Sequence, residues 1–338
     1  TSGNGYLAGV LLGFLTSNTA ATNINSGGGD IVIRGKASEN TGLWANQEAM
    51  AYGIMAMGSN TNTSGINASG GKVLLHGECQ NAQNYINCGG VMLNAFAQEL
   101  RDHWSGTSTF ADKYVVQSTN TASDSIQVLG VTRGTSQHGF YAPHGLTFRN
   151  QNGGGVVIKS NRINNSAWSS AYEPKFRWDV TGDIALEAVA ASFTGTETYG
   201  RYHQANLYSN QYLSTPRSFR YGAAGNNSAI SLQLGSISVS KTIEIHANNF
   251  GIGASAENNA LVANEPGGYI LIKAQAYINS ENNKSILANS SPVVIWANAS
   301  GANTGFINFR GTVSTTFSPT ASSSVGGPIF FGGGATGN

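Results

Sequence analysis

Residues 28–38 read GGDIVIRGKAS, and residues 70–79 read GGKVLLHGEC. In the first, Ile31 and Ile33 fall on one side of an extended chain and Val32 and Arg34 on the other, the alternation of a half-buried strand. Paired small residues, an aliphatic run, a polar residue and another small residue recur at GGVMLNAFA (89–97), GGGVVIKSNRI (153–163), TGDIALEAVAA (181–191) and KTIEIHANNF (241–250). They return at GGYILIKAQAYI (267–278), SPVVIWANAS (291–300) and TGFINFRGTVS (304–314). Self-similarity of this kind is the signature of a repeat architecture.

The runs are short, are bounded by Gly and Asn, and give way almost nowhere to a helical period. The exceptions are WANQEAMAYGIMAM (44–57) and AFAQELRDHW (95–104), each long enough for two or three helical turns as a lid or lateral helix. A coil of three short strands and three turns needs on the order of 20 residues. Several intervals between successive motifs lie from 19 to 28 residues, and the longer ones leave room for insertions. This pattern predicts an all-β chain, 1–338 as a single elongated β-solenoid, with lateral insertions near 95–124, 161–180 and 192–228. Stacked at about 4.8 Å per coil, a dozen coils make a rod of about 60 Å. The competing all-β reading, sandwiches or a jelly roll, predicts Asn-Gly hairpins, and the clearest of these, Asn4-Gly5, lies at the very start.

Composition agrees with stacked coils. The chain has 44 Gly and 36 Asn, and only 10% of its residues are charged. Gly and Asn tolerate the left-handed backbone of tight corners, and neutral polar side chains stack on copies of themselves without repulsion. A net charge of +1 gives no field for nucleic acid, and 40% hydrophobic residues exclude a disordered chain. The longest apolar run, GYLAGVLLGFL at 5–15, is too short to span a bilayer. Cys79 and Cys88 close a short Asn- and Gln-rich loop. That setting is poor for buried free thiols and favours a disulfide, hence an oxidising compartment.

The succession GGDIVIRGKAS, a Gly/Asn turn, an apolar strand and SGINASGGKVLLHGEC resembles the repeats of filamentous-haemagglutinin-like exoproteins, the adhesins exported by two-partner secretion. The resemblance extends over about residues 23–314. It implies a right-handed parallel β-helix secreted to a bacterial cell surface. No Asn-Pro-Asn motif of that family's secretion domain occurs, so the resemblance implies passenger rather than export signal.

Chemistry is sparse. Asp occurs at 30, 102, 112, 124, 179 and 183 alone, and the nearest pair, Asp179 and Asp183, offers the one candidate for a glycan-cleaving acid pair. The simpler reading makes Asp183 the turn residue of its repeat, as Asp30 is. His76 and His246 share one template slot and read as outward strand residues. His138 and His144 lack a nearby acid, no spacing suits a metal, and no cofactor motif is present. The most distinctive non-repeat stretch runs from Tyr199 to Tyr221. It gathers Tyr199, Tyr202, Tyr208, Tyr212, Phe219 and Tyr221 with Arg201, Arg217 and Arg220, and no acid occurs from Thr198 to Lys241. Flat rings and guanidinium groups suit stacking on sugars or contact with protein. Equally, the stretch can fold back and bury its own rings. A second aromatic group is Trp168, Tyr172, Phe176 and Trp178.

The expected function is therefore a structural and adhesive segment of a secreted surface fibre or stalk. Its partner would be a glycan or protein of a host or neighbouring cell. The alternatives are a protomer that binds copies of itself end to end into a filament, and a polysaccharide-degrading enzyme.

Overall fold

In the structure, a computed structural model, the quoted alternation becomes parallel strands. It describes residues 6–13, 20–37, 50–80, 87–95, 113–132, 139–161, 163–164, 176–189, 213–222, 231–234, 237–252, 260–280, 282–301, 305–317 and 325–334. These are all β, with no helix among the described residues. The chain divides into two units, Thr1–Val180 and Thr181–Asn338.

The first unit holds β1 (Tyr6–Leu12), β2 (Asn23–Asn25), β3 (Ile31–Ala37), β4 (Met50–Met57), β5 (Ser64–Asn67), β6 (Val73–Cys79) and β7 (Asn87–Ala95). It continues with β8 (Tyr114–Gln117), β9 (Ile126–Thr132), β10 (Phe140–Tyr141), β11 (Leu146–Asn150), β12 (Val156–Ser160), β13 (Ile163–Asn164) and β14 (Phe176–Val180). Each strand pairs in parallel with the strand three positions on. The results are the series β1-β4-β7-β10-β13, β2-β5-β8-β11-β14 and β3-β6-β9-β12. Pairing thus repeats every three strands, and register carries like residues onto like: Ile31, Val73, Ile126 and Val156 form one column, Ile33, Leu75, Val128 and Ile158 the next. Every second residue of β6 and β9 is buried, as the alternation requires. Aromatic rings pack together among the buried residues. Phe148 stacks on Trp178 at 5.2 Å, and Phe140 on Phe176 at 5.5 Å.

One column is glycine. Gly35 and Gly77 of β3 and β6, with Gly130 of β9, face Gly53 of β4, Gly90 of β7 and Gly139, just before β10. A methyl group on Gly35 would stand 1.9 Å from Gly53 O, one on Gly77 2.0 Å from Gly90 O, and one on Gly130 2.0 Å from Gly139 O. Along this seam two sheets meet backbone to backbone, an approach only glycine permits.

The second unit holds β15 (Asp183–Ala188), β16 (Ser218–Tyr221), β17 (Ser231–Leu234), β18 (Ile237–Val239), β19 (Thr242–Ala247), β20 (Asn249–Ile252) and β21 (Ala260–Ala263). Then come β22 (Tyr269–Ala274), β23 (Ile278–Ser280), β24 (Lys284–Ala288), β25 (Val293–Ala297), β26 (Ile307–Asn308), β27 (Gly311–Ser314) and β28 (Ile329–Gly333). The three-strand period holds from β16 onward. Here β16-β19-β22-β25-β28, β17-β20-β23-β26 and β18-β21-β24-β27 are parallel series, and β15 lies beside β16. The inner columns are Phe219, Ile243, Ile270 and Val293, then Tyr221, Ile245, Ile272 and Ile295.

Amides hold the corners. Asn150 Nδ2 donates to Asn120 O at 2.8 Å, Asn289 Nδ2 to Asn264 O at 2.9 Å, and Asn264 Nδ2 to Val239 O at 2.9 Å. Each bond satisfies a carbonyl at or just past the end of another strand. Asn94, Asn283 and Asn298 sit at positive φ, the conformation that asparagine adopts more readily than most residues.

One sequence expectation changes here. Met50–Met57 is strand, not helix, and its described residues from Ala51 are all buried. The period-3.6 look of AMAYGIMAM arises because this strand lies against neighbours on both faces, which removes the alternation. Residues 96–104 of the other helical candidate lie outside the described residues. The stretches assigned to insertions contain paired strands: β8 within 95–124, β13 and β14 within 161–180, and β16 within 192–228. Their short apolar runs lack the paired glycines that precede β3, β6, β12 and β22.

Candidate functional site

Ionisable groups collect on the outer face of β15, β16, β19 and β22, because alternation turns Asp183 and Glu187, Arg220, Glu244 and His246, and Tyr269 away from the interior. Register then makes them neighbours. Asp183 lies beside Ser218, Arg220 beside Glu244, and Thr242 beside Tyr269. Asp183 accepts from Arg217 Nε at 2.8 Å and from Ser218 Oγ at 2.5 Å. Arg220 forms an ion pair with Glu187. Glu244 Oε1 lies 2.7 Å from His246 Nε2, and its Oε2 accepts from Tyr269 at 2.9 Å.

Burial works to raise the Asp183 carboxyl, but hydrogen bonds from Arg217 and Ser218 and the charges of Arg217 and Arg220 hold it below the ordinary carboxylate value. Burial likewise opposes ionisation of Glu244. Hydrogen bonds from His246 and Tyr269, with the charges of His246 and Arg220, more than offset it. Burial, followed by the bond to Glu244, pushes the Tyr269 phenol up. Neither of these two carboxylates has the raised pKa that a general acid needs. Their chemistry is that of a fixed ionic network presenting guanidinium and hydroxyl groups outward.

The residues singled out in the sequence separate into three sets. Tyr199, Arg201, Tyr202, Tyr208 and Tyr212 lie outside the described residues, as do Trp168 and Tyr172. Phe219 and Tyr221 are core residues, 0% and 3% exposed, and are closed to any ligand; the alternation of SFRY turns them inward onto Ile243 and Ile245. Phe176 and Trp178 are buried too. Arg217 and Arg220 face outward but are held by Asp183 and Glu187.

Asp179 and Asp183 have separate partners. Asp179 accepts from Arg149 Nε and Gln151 Nε2, each at 2.9 Å. His76 is outward and lies 3.0 Å from Glu78, whereas His246, in the equivalent slot, is only 5% exposed. Cys79 and Cys88 form a disulfide that ties the end of β6 to the start of β7, packed with Ala37 and Ala51. Among the described residues no group of three or more His, Cys, Asp or Glu is placed to hold a metal, and no helix is long and apolar enough to cross a membrane.

Glu187, Glu244 and Tyr269 were not legible as neighbours, since 82 positions separate Glu187 from Tyr269. The signal lay in the template itself: Glu187, His246 and Lys273 occupy corresponding polar slots, and stacked templates bring such slots together. No protein-family model, curated protein or solved structure matches the chain.

Proposed function

We propose that each unit is a right-handed parallel β-solenoid and that the chain is a structural and adhesive segment of a secreted bacterial surface fibre. The observation that carries this is the three-strand period of parallel pairing, kept in register with an aliphatic interior. Right-handedness follows from the strong preference of parallel crossovers within one sheet for that hand. Each rung touches only its neighbours, so length is added without altering the core, which is what a stalk requires. The Cys79–Cys88 disulfide fits an oxidising, extracellular setting.

Adhesion is assigned to residues 199–212, whose tyrosines and Arg201 come between β15 and β16 in the sequence. Aromatic rings with guanidinium groups suit a surface glycan. The test is binding of the fluorescently labelled chain to a glycan array and to intact cells, beside a Tyr202→Ala/Tyr212→Ala variant. Retained binding to cells and glycans by the variant removes these tyrosines as the contact. A wild-type chain that binds neither removes adhesion.

A further inference from the structure

Among the described residues, nothing requires Gly29 to be glycine. At its counterparts something does. A methyl on Gly71 would stand 2.1 Å from Gly29 O, one on Gly154 1.9 Å from Asn120 O, one on Gly268 1.9 Å from Lys241 O, and one on Gly327 2.6 Å from the carbonyl carbon of Ser291. In each case the bare Cα faces backbone of the preceding rung. At Gly29 the same direction holds nothing within 4 Å, and its φ is not positive. The position is shaped for a rung that stands before β3.

The other exposed edge has the matching shape. Ile329 and Phe331 continue the column of Val293 and Ile295, yet are 40% and 56% exposed where those two are 0%. The sequences at the two edges share one template, Gly28-Gly29-Asp30-Ile31-Val32-Ile33-Arg34-Gly35 and Gly326-Gly327-Pro328-Ile329-Phe330-Phe331-Gly332-Gly333. Laid in register, Ile329 and Phe331 meet Ile31 and Ile33. Phe330, 55% exposed, meets Val32, 54% exposed. Gly332 comes beneath Arg34, and the Trp296 ring already lies across Gly332, since a methyl there would be 2.9 Å from its Cε3 and Cζ3. The guanidinium of Arg34 is thus brought to an aromatic face. No charged residue of β28 opposes the basic Arg34 and Lys36.

We propose that β28 of one copy adds in parallel to the β3 edge of a second copy, joining copies head to tail. The inference rests on the stacked-rung reading of the fold. Strand addition supplies backbone hydrogen bonds to two open edges and covers the exposed columns.

Four variants of the 338-residue chain test it. In sedimentation equilibrium the wild type self-associates, while Gly29→Ala weakens association by about tenfold or more, because its methyl falls on the carbonyl of Gly327 in the second copy. Its urea midpoint does not fall. A wild type that stays monomeric to about 100 μM, well above ordinary specific affinities, overturns the proposal, and so does undiminished association of Gly29→Ala. Oxidising a mixture of Val32→Cys and Phe330→Cys chains yields a 32–330 cross-link, since register neighbours lie about 5 Å apart. Cross-links of 32 to 32 or 330 to 330 overturn the head-to-tail arrangement. Gly71→Ala separates the two levels of the argument. Inside one copy it must lower the urea midpoint, and if it does not, the stacked-rung reading itself fails.

Discussion

Gly77 is a residue whose side chain is defined by what it excludes. An added methyl would lie 2.0 Å from Gly90 O and 2.8 Å from Val91 Cγ2, inside a seam with backbone on both sides. At an open site, glycine to alanine stabilises by about 0.4–1 kcal/mol through the unfolded chain. At the seam the sign reverses, and Gly77→Ala should cost about 3 kcal/mol, the upper part of the overpacking range. Urea unfolding followed by circular dichroism measures this, and a variant as stable as wild type would mean the two sheets are not in contact there. In the sequence, Gly35 and Gly77 read simply as the small residues that close a template. Nothing local distinguishes a glycine that ends a strand from one that lets another strand approach.

At the scale of elements, alternation in IVIRG, VLLHG and TIEIHA translated directly into strands, because each lies with one face inward and one outward. β4 escaped that reading for the opposite reason, being covered on both faces. β8, β14 and β16 fell inside the stretches read as insertions, although YVV, FRWDV and SFRY carry the same inward columns. The ionic network was invisible for a further reason: its members join only when register stacks four strands. The Cys79–Cys88 link, by contrast, was legible from its short polar loop, and it fastens β6 to β7 across a corner. Replacing both residues with serine should lower stability by about 2–3 kcal/mol on the loop-entropy account. Guanidinium unfolding of the double variant checks this, and a dithiothreitol-treated wild type should move the same way. An unchanged midpoint would show that the corner is held by the packing of Ala37 and Ala51 alone.

Across the whole molecule, few groups titrate, so the acid limb of stability is set by a small number of carboxylates. Asp124, held down chiefly by the hydrogen bond from Lys72, together with Asp183 and Glu244, lies below its ordinary value in the folded state. The unfolded chain therefore takes up protons first as pH falls. These groups contribute fully above the usual carboxylate range, about pH 4, and their contribution is lost as pH drops through the depressed folded values. Urea midpoints taken between about pH 6 and about pH 2.5 should fall across that window. An Asp183→Asn chain should show a shallower decline, and a slope identical to wild type would detach Asp183 from acid stability. The glycine seam bears on how such a chain is put to use. It admits no added atoms, whereas the exposed bend at Asn60–Thr63 lies clear of it. A foreign epitope grafted at that bend would be carried outward by a frame whose tightest joint it never touches, which makes the molecule a natural display scaffold.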